Sequence, residues 1–168
     1  IDANAGKHSP MDLEHIPPAL QQAVVATEDA DFYRNLGFSL RGILRSAWLN
    51  LRSGEILAGG STITQQLVRN LLMDSEERYD QTLARKVREA TLAVRLSAWY
   101  SKDEILALYL NQTYFGNFAF GADAAAQAYF GTSVSQLDLA QCALLAGIIQ
   151  SPYLHNPYTH LDSALQRQ

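Results

Sequence analysis

The chain has 168 residues, a formal net charge of −4, and 48% hydrophobic against 18% charged residues. That length suits one domain with a proper core, and ten glycines and five prolines exclude a collagen-like or disordered chain. The near-neutral balance excludes a nucleic-acid binder that grips phosphates through a general basic surface. A single cysteine, Cys142, cannot make an intrachain disulfide, which leaves the redox compartment open. The longest uninterrupted apolar run, Cys142 to Ile149, is eight residues, whereas a spanning helix needs roughly 20. Ile1-Asp2-Ala3-Asn4 has neither the basic start nor the apolar stretch of a signal peptide, and without an initiating Met the chain reads as a domain cut from a longer one.

Helical periodicity dominates from the start. Pro17-Pro18 opens a helix with Ala19, Leu20, Ala23, Val24 and Thr27 on one face. Leu40, Ile43, Leu44, Ala47, Trp48 and Leu51 form a second stripe, ended by Ser53-Gly54. Gly59-Gly60-Ser61 is a loop, and Thr62 with Gln65 makes a capping box that leads into Ile63, Leu67 and Leu71. After the polar stretch Asp74 to Glu77, a long helix is expected from about Gln81 to Tyr100. Ser101 and Glu104 form another capping box for a helix to Leu110, and Gly121–Tyr129 and Asp138–Ile149 supply two more. Tyr114 to Phe120, aromatic and bordered by glycines, suits a short extended piece. No βαβ rhythm appears, and the fold class is all-α.

Three constellations could carry chemistry. Glu28-Asp29-Ala30-Asp31 ends the first helix, where mutual repulsion and the negative helix terminus favour a readily protonated carboxyl suited to acid–base work. The plain alternative is a solvated acidic helix end. The D-x-D of metal-dependent sugar transferases is also matched by Asp29 and Asp31, but that motif belongs to α/β folds. In the second constellation, Gly59-Gly60-Ser61-Thr62-Ile63-Thr64-Gln65-Gln66, glycines, hydroxyls and a helix N-terminus suit a pyrophosphate, with Arg69 two turns along as counter-charge. A simple loop and N-cap is the alternative. Third, Arg85-Lys86-x-x-Glu89 aligns Glu89 with Arg85, Leu92 and Leu96, which points an ionised carboxylate inward. A buried structural ion pair fits equally well. Arg41, Arg45 and Arg52 lie opposite the apolar stripe of Leu40–Leu51, a pattern of ordinary core helices and of helices lying on anionic membranes. His8, His15, His155 and His160 lack metal-ligand spacing, and no zinc, redox or organic cofactor is implied.

Taken in order, these residues resemble the peptidoglycan glycosyltransferase family, the lysozyme-like polymerases of class A penicillin-binding proteins and their monofunctional relatives. The resemblance spans roughly Ile16 to Pro157 in five motifs: Glu28-Asp29-x-x-Phe32 with Gly37; Gly59 to Gln66; Arg85-Lys86-x-x-Glu89; Lys102-x-Glu104-Ile105-Leu106-x-x-Tyr109-Leu110-Asn111 with Tyr114-Phe115-Gly116; and Ala143 to Gly147. It implies a lysozyme-like globular lobe and a smaller membrane-facing lobe around residues 38–58, within a longer membrane-anchored chain. Glu28 would be the base that deprotonates the 4-hydroxyl of the acceptor disaccharide. Glu89 would sit by the donor pyrophosphate, positioning a divalent cation (Mg or Mn) or the basic groups that neutralise the leaving group. Asp29, Phe32, Gly59, Gly60, Ser61, Thr62, Gln65, Gln66, Arg69, Arg85, Lys86 and Asn111 are the corresponding substrate-binding expectations. Implied partners are lipid II, the growing glycan chain, the membrane surface and other cell-wall synthesis proteins, at the outer face of the cytoplasmic membrane.

Four positions depart from the family pattern. Asn35 stands where the family has His, Arg69 where it has Lys, and Gln141 where it has a Glu expected to order the core. Ser97 lies near a usual acidic residue. Arg is not a simple replacement for Lys, because a bidentate guanidinium differs from an ammonium. Two other functional classes share these features: a lysozyme-like glycan hydrolase, which has no use for a pyrophosphate cradle, and a non-catalytic module that binds lipid II or membrane partners.

Overall fold

The computed structural model describes residues 11–39, 42, 60–74, 77, 80 and 82–168. Among them the chain is helical and contains no sheet. The helices are α1 (Pro18–Glu28), α2 (Ile63–Leu72), α3 (Leu83–Trp99), α4 (Lys102–Gln112), α5 (Ala122–Phe130), α6 (Leu139–Ile149) and α7 (Leu161–Arg167). The Leu40–Leu51 stripe and Gly59 lie outside the described residues.

Local sequence explains most helix starts. Thr62 and Ser101 cap α2 and α4 with the full reciprocal boxes that their spacing predicts. A third box caps α6, where Asp138 accepts from the Gln141 N–H and the Gln141 side chain accepts from the Asp138 N–H. Gln141 therefore belongs to a partly exposed helix terminus in this chain, and the core is ordered without a charge at that position. Thr82 caps α3 through the Arg85 N–H, which starts that helix two residues later than periodicity alone suggests.

Packing follows the apolar faces. α1 lies against α6, and α2 lies against both α3 and α4. One core joins Leu20 and Val24 of α1, Ile63 and Leu67 of α2, Ile105, Leu106, Tyr109 and Leu110 of α4, and Leu145 and Ile148 of α6. Thr27, grouped with the α1 stripe by spacing, faces outward and returns its hydroxyl to the Ala23 carbonyl at 2.8 Å. The Tyr114–Phe120 segment is extended at its ends, joined by an isolated antiparallel bridge and by Tyr114–Phe120 ring contact at 4.8 Å. The last helix, α7, has no counterpart in the sequence reading, because the short run after Pro157 gives little periodic signal. It packs on α6, where Gly147 lets the Arg167 stem approach.

Gly37 fixes the path between α1 and the rest of the molecule. Its φ is 96°, and a Cβ there would sit 2.4 Å from the Ala93 carbonyl oxygen of α3. Its own carbonyl accepts the Thr62 hydroxyl at 2.6 Å. Strained φ and a backbone clash coincide, so Gly37→Ala is expected to lower unfolding stability by roughly 2–4 kcal/mol. Urea denaturation measures it, and an unchanged midpoint would show that the loop can move off α3.

Candidate active site

Glu28 is the last residue of α1, partly buried, and its carboxylate accepts the Gln66 side-chain N–H at 2.8 Å. Gln66 is in turn held from behind, because its carbonyl accepts the Tyr109 hydroxyl at 2.9 Å. Burial pushes the Glu28 carboxyl above the ordinary glutamate range, against the lowering effects of the Gln66 hydrogen bond and of Arg167 and Arg69. Repulsion from Asp29 adds only a minor upward push, so the acidic run matters less than desolvation.

Asp29 does a different job. Its two oxygens accept from the Asn35 amide at 3.0 and 2.9 Å, and one also accepts the Ile63 N–H at 3.2 Å. The carboxylate thus caps the start of α2. Asn35 passes the connection on, since its carbonyl accepts from the Gly37 N–H at 3.0 Å and from Lys102 Nζ at 3.1 Å. Lys102 also lies 4.7 Å above the ring of Phe32, which is fully buried in the core. Burial raises the Asp29 pKa more than its hydrogen bonds and Lys102 lower it.

Glu89 is 0% exposed and wrapped by cations: Arg85 at 2.6 Å, Lys86 at 3.1 Å and Arg69 at 3.9 Å. Lys86 Nζ also donates to the Ser61 hydroxyl at 2.7 Å. Three positive groups share one carboxylate, which leaves the cluster with a net positive charge facing outward through the partly exposed Arg69 and Lys86. Arg69 acts electrostatically on both carboxylates, pairing with Glu89 and lowering the pKa of Glu28.

Several expected site residues are engaged elsewhere. The N-terminus of α2 is not an open anion cradle, because Asp29 takes the Ile63 N–H and Thr62 takes the Gln65 N–H. Thr62 and Gln65 are buried in their own capping box, and Thr64 is fully buried. Gly60 and Ser61 remain partly exposed beside that box. Phe32 supports the loop from inside the core, fully buried. Asn111 holds the segment before α1: it accepts from the Met11 N–H at 2.9 Å and donates to the Met11 and Ala107 carbonyls.

Glu89, expected beside a divalent cation, faces basic groups in this structure. Both its oxygens are held by cationic donors, and no cluster of three or more His, Cys, Asp or Glu among the described residues could hold an ion. Four residues of the site were not among the sequence expectations. Tyr109 stands in the fourth motif without an assigned role, and periodicity cannot show what its hydroxyl does. Arg167 reaches Glu28 electrostatically from a helix the sequence did not announce. Asn35 and Lys102 stand within recognised motifs, but only the fold brings them together.

The family model described as Transglycosylase matches residues 2–168. The chain is 45% identical to penicillin-binding protein 1A of Aquifex aeolicus (strain VF5) over 93% of its length and 21% of that relative's. It is also 45% identical to penicillin-binding protein 1A of Escherichia coli (strain K12), over 95% of the chain and 18% of the relative. Penicillin-binding protein 2a of Streptococcus pneumoniae serotype 2 (strain D39 / NCTC 7466) is 42% identical, over 94% and 20%. The chain therefore belongs to the transglycosylase family, as a peptidoglycan glycosyltransferase domain. It spans about a fifth of the length of the curated relatives it matches.

Two outcomes follow from these charges. Glu89→Gln leaves three cations around a neutral amide and is expected to cost roughly 2–4 kcal/mol of stability, moderated by the exposure of Lys86 and Arg69. Denaturant unfolding tests this, and an unaltered free energy would show that solvent satisfies the cations. Burial raises the Glu28 pKa in the folded state, so its ionised form weighs against folding above that pKa, and protonation relieves the penalty as pH falls. Glu28→Gln should therefore melt roughly 1–3 °C above the wild type at pH 7, with the gap closing toward about pH 4. A pH-independent gap would remove the titration of Glu28 as its cause.

Proposed function

We propose that this domain polymerises lipid II, with Glu28 as the general base. Glu28 takes the proton from the 4-hydroxyl of the acceptor disaccharide as that oxygen attacks C1 of the donor, the growing chain. A new glycosidic C–O bond forms, the bond from C1 to phosphate breaks with inversion, and its electron pair leaves with the polyprenyl pyrophosphate. Arg69, Arg85 and Lys86 neutralise the charge that develops on this leaving group. Glu89 holds those cations in place and keeps them from scattering, which makes it a positioning residue.

The observation that carries the reading is the unequal treatment of two carboxyls. Glu28 is desolvated, raised in pKa and hydrogen-bonded by a neutral amide, while Glu89 is buried and paired with three cations. The two-carboxyl route of most glycoside hydrolases uses a second free carboxyl, and Glu89 is paired with cations. Family membership supports the same choice. A lipid-linked substrate places the work at a membrane surface, the outer face of the cytoplasmic membrane, beside other cell-wall synthesis proteins. Among the described residues no helix is long and apolar enough to cross a membrane, so contact with lipid would come from elsewhere in the protein or from the surface of this domain. Charge neutralisation by Arg69, Arg85 and Lys86 assigns no place on Glu89 to a Mg or Mn ion.

The test is a gel of labelled lipid II incubated with the domain in detergent. Wild type should give a ladder of polymer, with turnover rising as pH passes the raised pKa of Glu28. Glu28→Gln should abolish the ladder, a loss of about a hundredfold or more. Turnover retained in that variant would dismiss Glu28 as the base. Lipid II binding by wild-type protein with no ladder would favour a binding module.

A further inference from the structure

The Glu28–Gln66 contact depends on which way the Gln66 amide faces. An amide offers a donor on one side and an acceptor on the other, and the two ends have nearly the same shape. With its N–H toward Glu28, Gln66 stabilises the carboxylate. Turned over, it would present its carbonyl to the same oxygen and favour the protonated acid. Gln66 sits in the first half of α2, and its backbone is fixed by the N–H bond to the Thr62 carbonyl at 3.0 Å. Only the side-chain torsions remain to be set.

We infer that Tyr109 is a positioning residue for the base, its hydroxyl locking the Gln66 amide so that the donor end faces Glu28. Three observations carry this. Tyr109 Oη donates to Gln66 Oε1 at 2.9 Å, and Gln66 Nε2 donates to Glu28 Oε2 at 2.8 Å, so the three groups form one chain with a single donor direction. The Tyr109 ring is fully buried in the core between α2 and α4, which leaves the hydroxyl little freedom to turn away. The phenol is also kept protonated: burial and the nearby Glu28 charge both push its pKa up, so it remains a donor across the working range. A donor bonded to the amide carbonyl also polarises the amide, which strengthens its N–H bond to the carboxylate.

The other charges around Glu28 do not duplicate this role. Arg69 comes from α2, Arg167 from α7, and Asp29 follows Glu28 in the chain. α6, which packs along α1, contains no charged residue. These charges act at a distance, whereas the Gln66 amide donates directly to the carboxylate.

The inference rests on Glu28 acting as base in the proposed reaction, and the experiment separates the two. Rates of lipid II polymerisation are measured against pH for the wild type, Tyr109→Phe, Gln66→Leu, the double variant and Glu28→Gln, each checked for folding by circular dichroism. Tyr109→Phe should lower turnover about tenfold and move the acid limb of the pH profile up by about one unit, as expected for losing support of a charged group. Gln66→Leu should do the same, and the double variant should be no worse than Gln66→Leu alone, because both remove one chain of bonds. Replacing Tyr109 by 3-fluorotyrosine, a stronger donor of nearly the same shape, should move the limb downward. That replacement decides the matter if the Phe variant does not fold. Reduced rates with an unmoved acid limb, or effects that add in the double variant, overturn the relay while an inert Glu28→Gln leaves the base assignment standing. Turnover in Glu28→Gln overturns the base and the relay together.

Discussion

The Asp29 carboxylate is the constraint on which the site depends. It accepts from Asn35 on one side and from the first N–H of α2 on the other. The end of α1 is thereby fixed against the start of α2, and through Asn35 and Lys102 against the start of α4 as well. Glu28 and Gln66 are near neighbours of that junction in their own helices, one residue before Asp29 and three after Ile63. Their 2.8 Å contact follows from it. A buried acid with imperfect compensation is an expensive joint, as its raised pKa records, but it is directional and short.

From this joint the two halves of the chemistry separate. One side is lined by helix ends and neutral hydrogen-bonding groups, where a carboxyl loses water and becomes a better base. The other side gathers charge, with Arg85 and Lys86 one turn before Glu89 on the same helix and Arg69 supplied by its neighbour. The same residue type, glutamate, acquires opposite roles because one is desolvated beside an amide and the other is surrounded by cations. Arg69 links them, pairing with Glu89 and lowering the pKa of Glu28.

Asn35 has a concrete role in this joint. Its amide donates to both Asp29 oxygens while its carbonyl accepts from Gly37 and Lys102. Such a connection needs a donor and an acceptor at once, and an amide provides both at any pH. Likewise Gln141 completes a helix cap with Asp138. Both residues make full use of the amide's two ends.

The sequence by itself determined the helical class, the reciprocal caps at Thr62 and Ser101, the pairing of Glu89 with Arg85 and Lys86, and the motifs that mark the family. All of these are local: capping boxes span three residues, ion pairs on one helix span three or four, and motifs are contiguous. What lay beyond it was which hydrogen-bonding groups remain available once the chain has folded. The glycine-flanked start of α2 reads as an anion cradle until Asp29, 34 residues earlier, occupies it. Phe32, Gln65 and Asn111 are substrate-binding expectations by family resemblance, yet packing buries the first two and the Met11 backbone engages the third. Tyr109 is a motif residue buried in the core, yet its side-chain hydroxyl reaches Gln66 across 43 positions. Hydrophobic spacing reports which face of a helix turns inward, and only tertiary contact decides which donor meets which acceptor there.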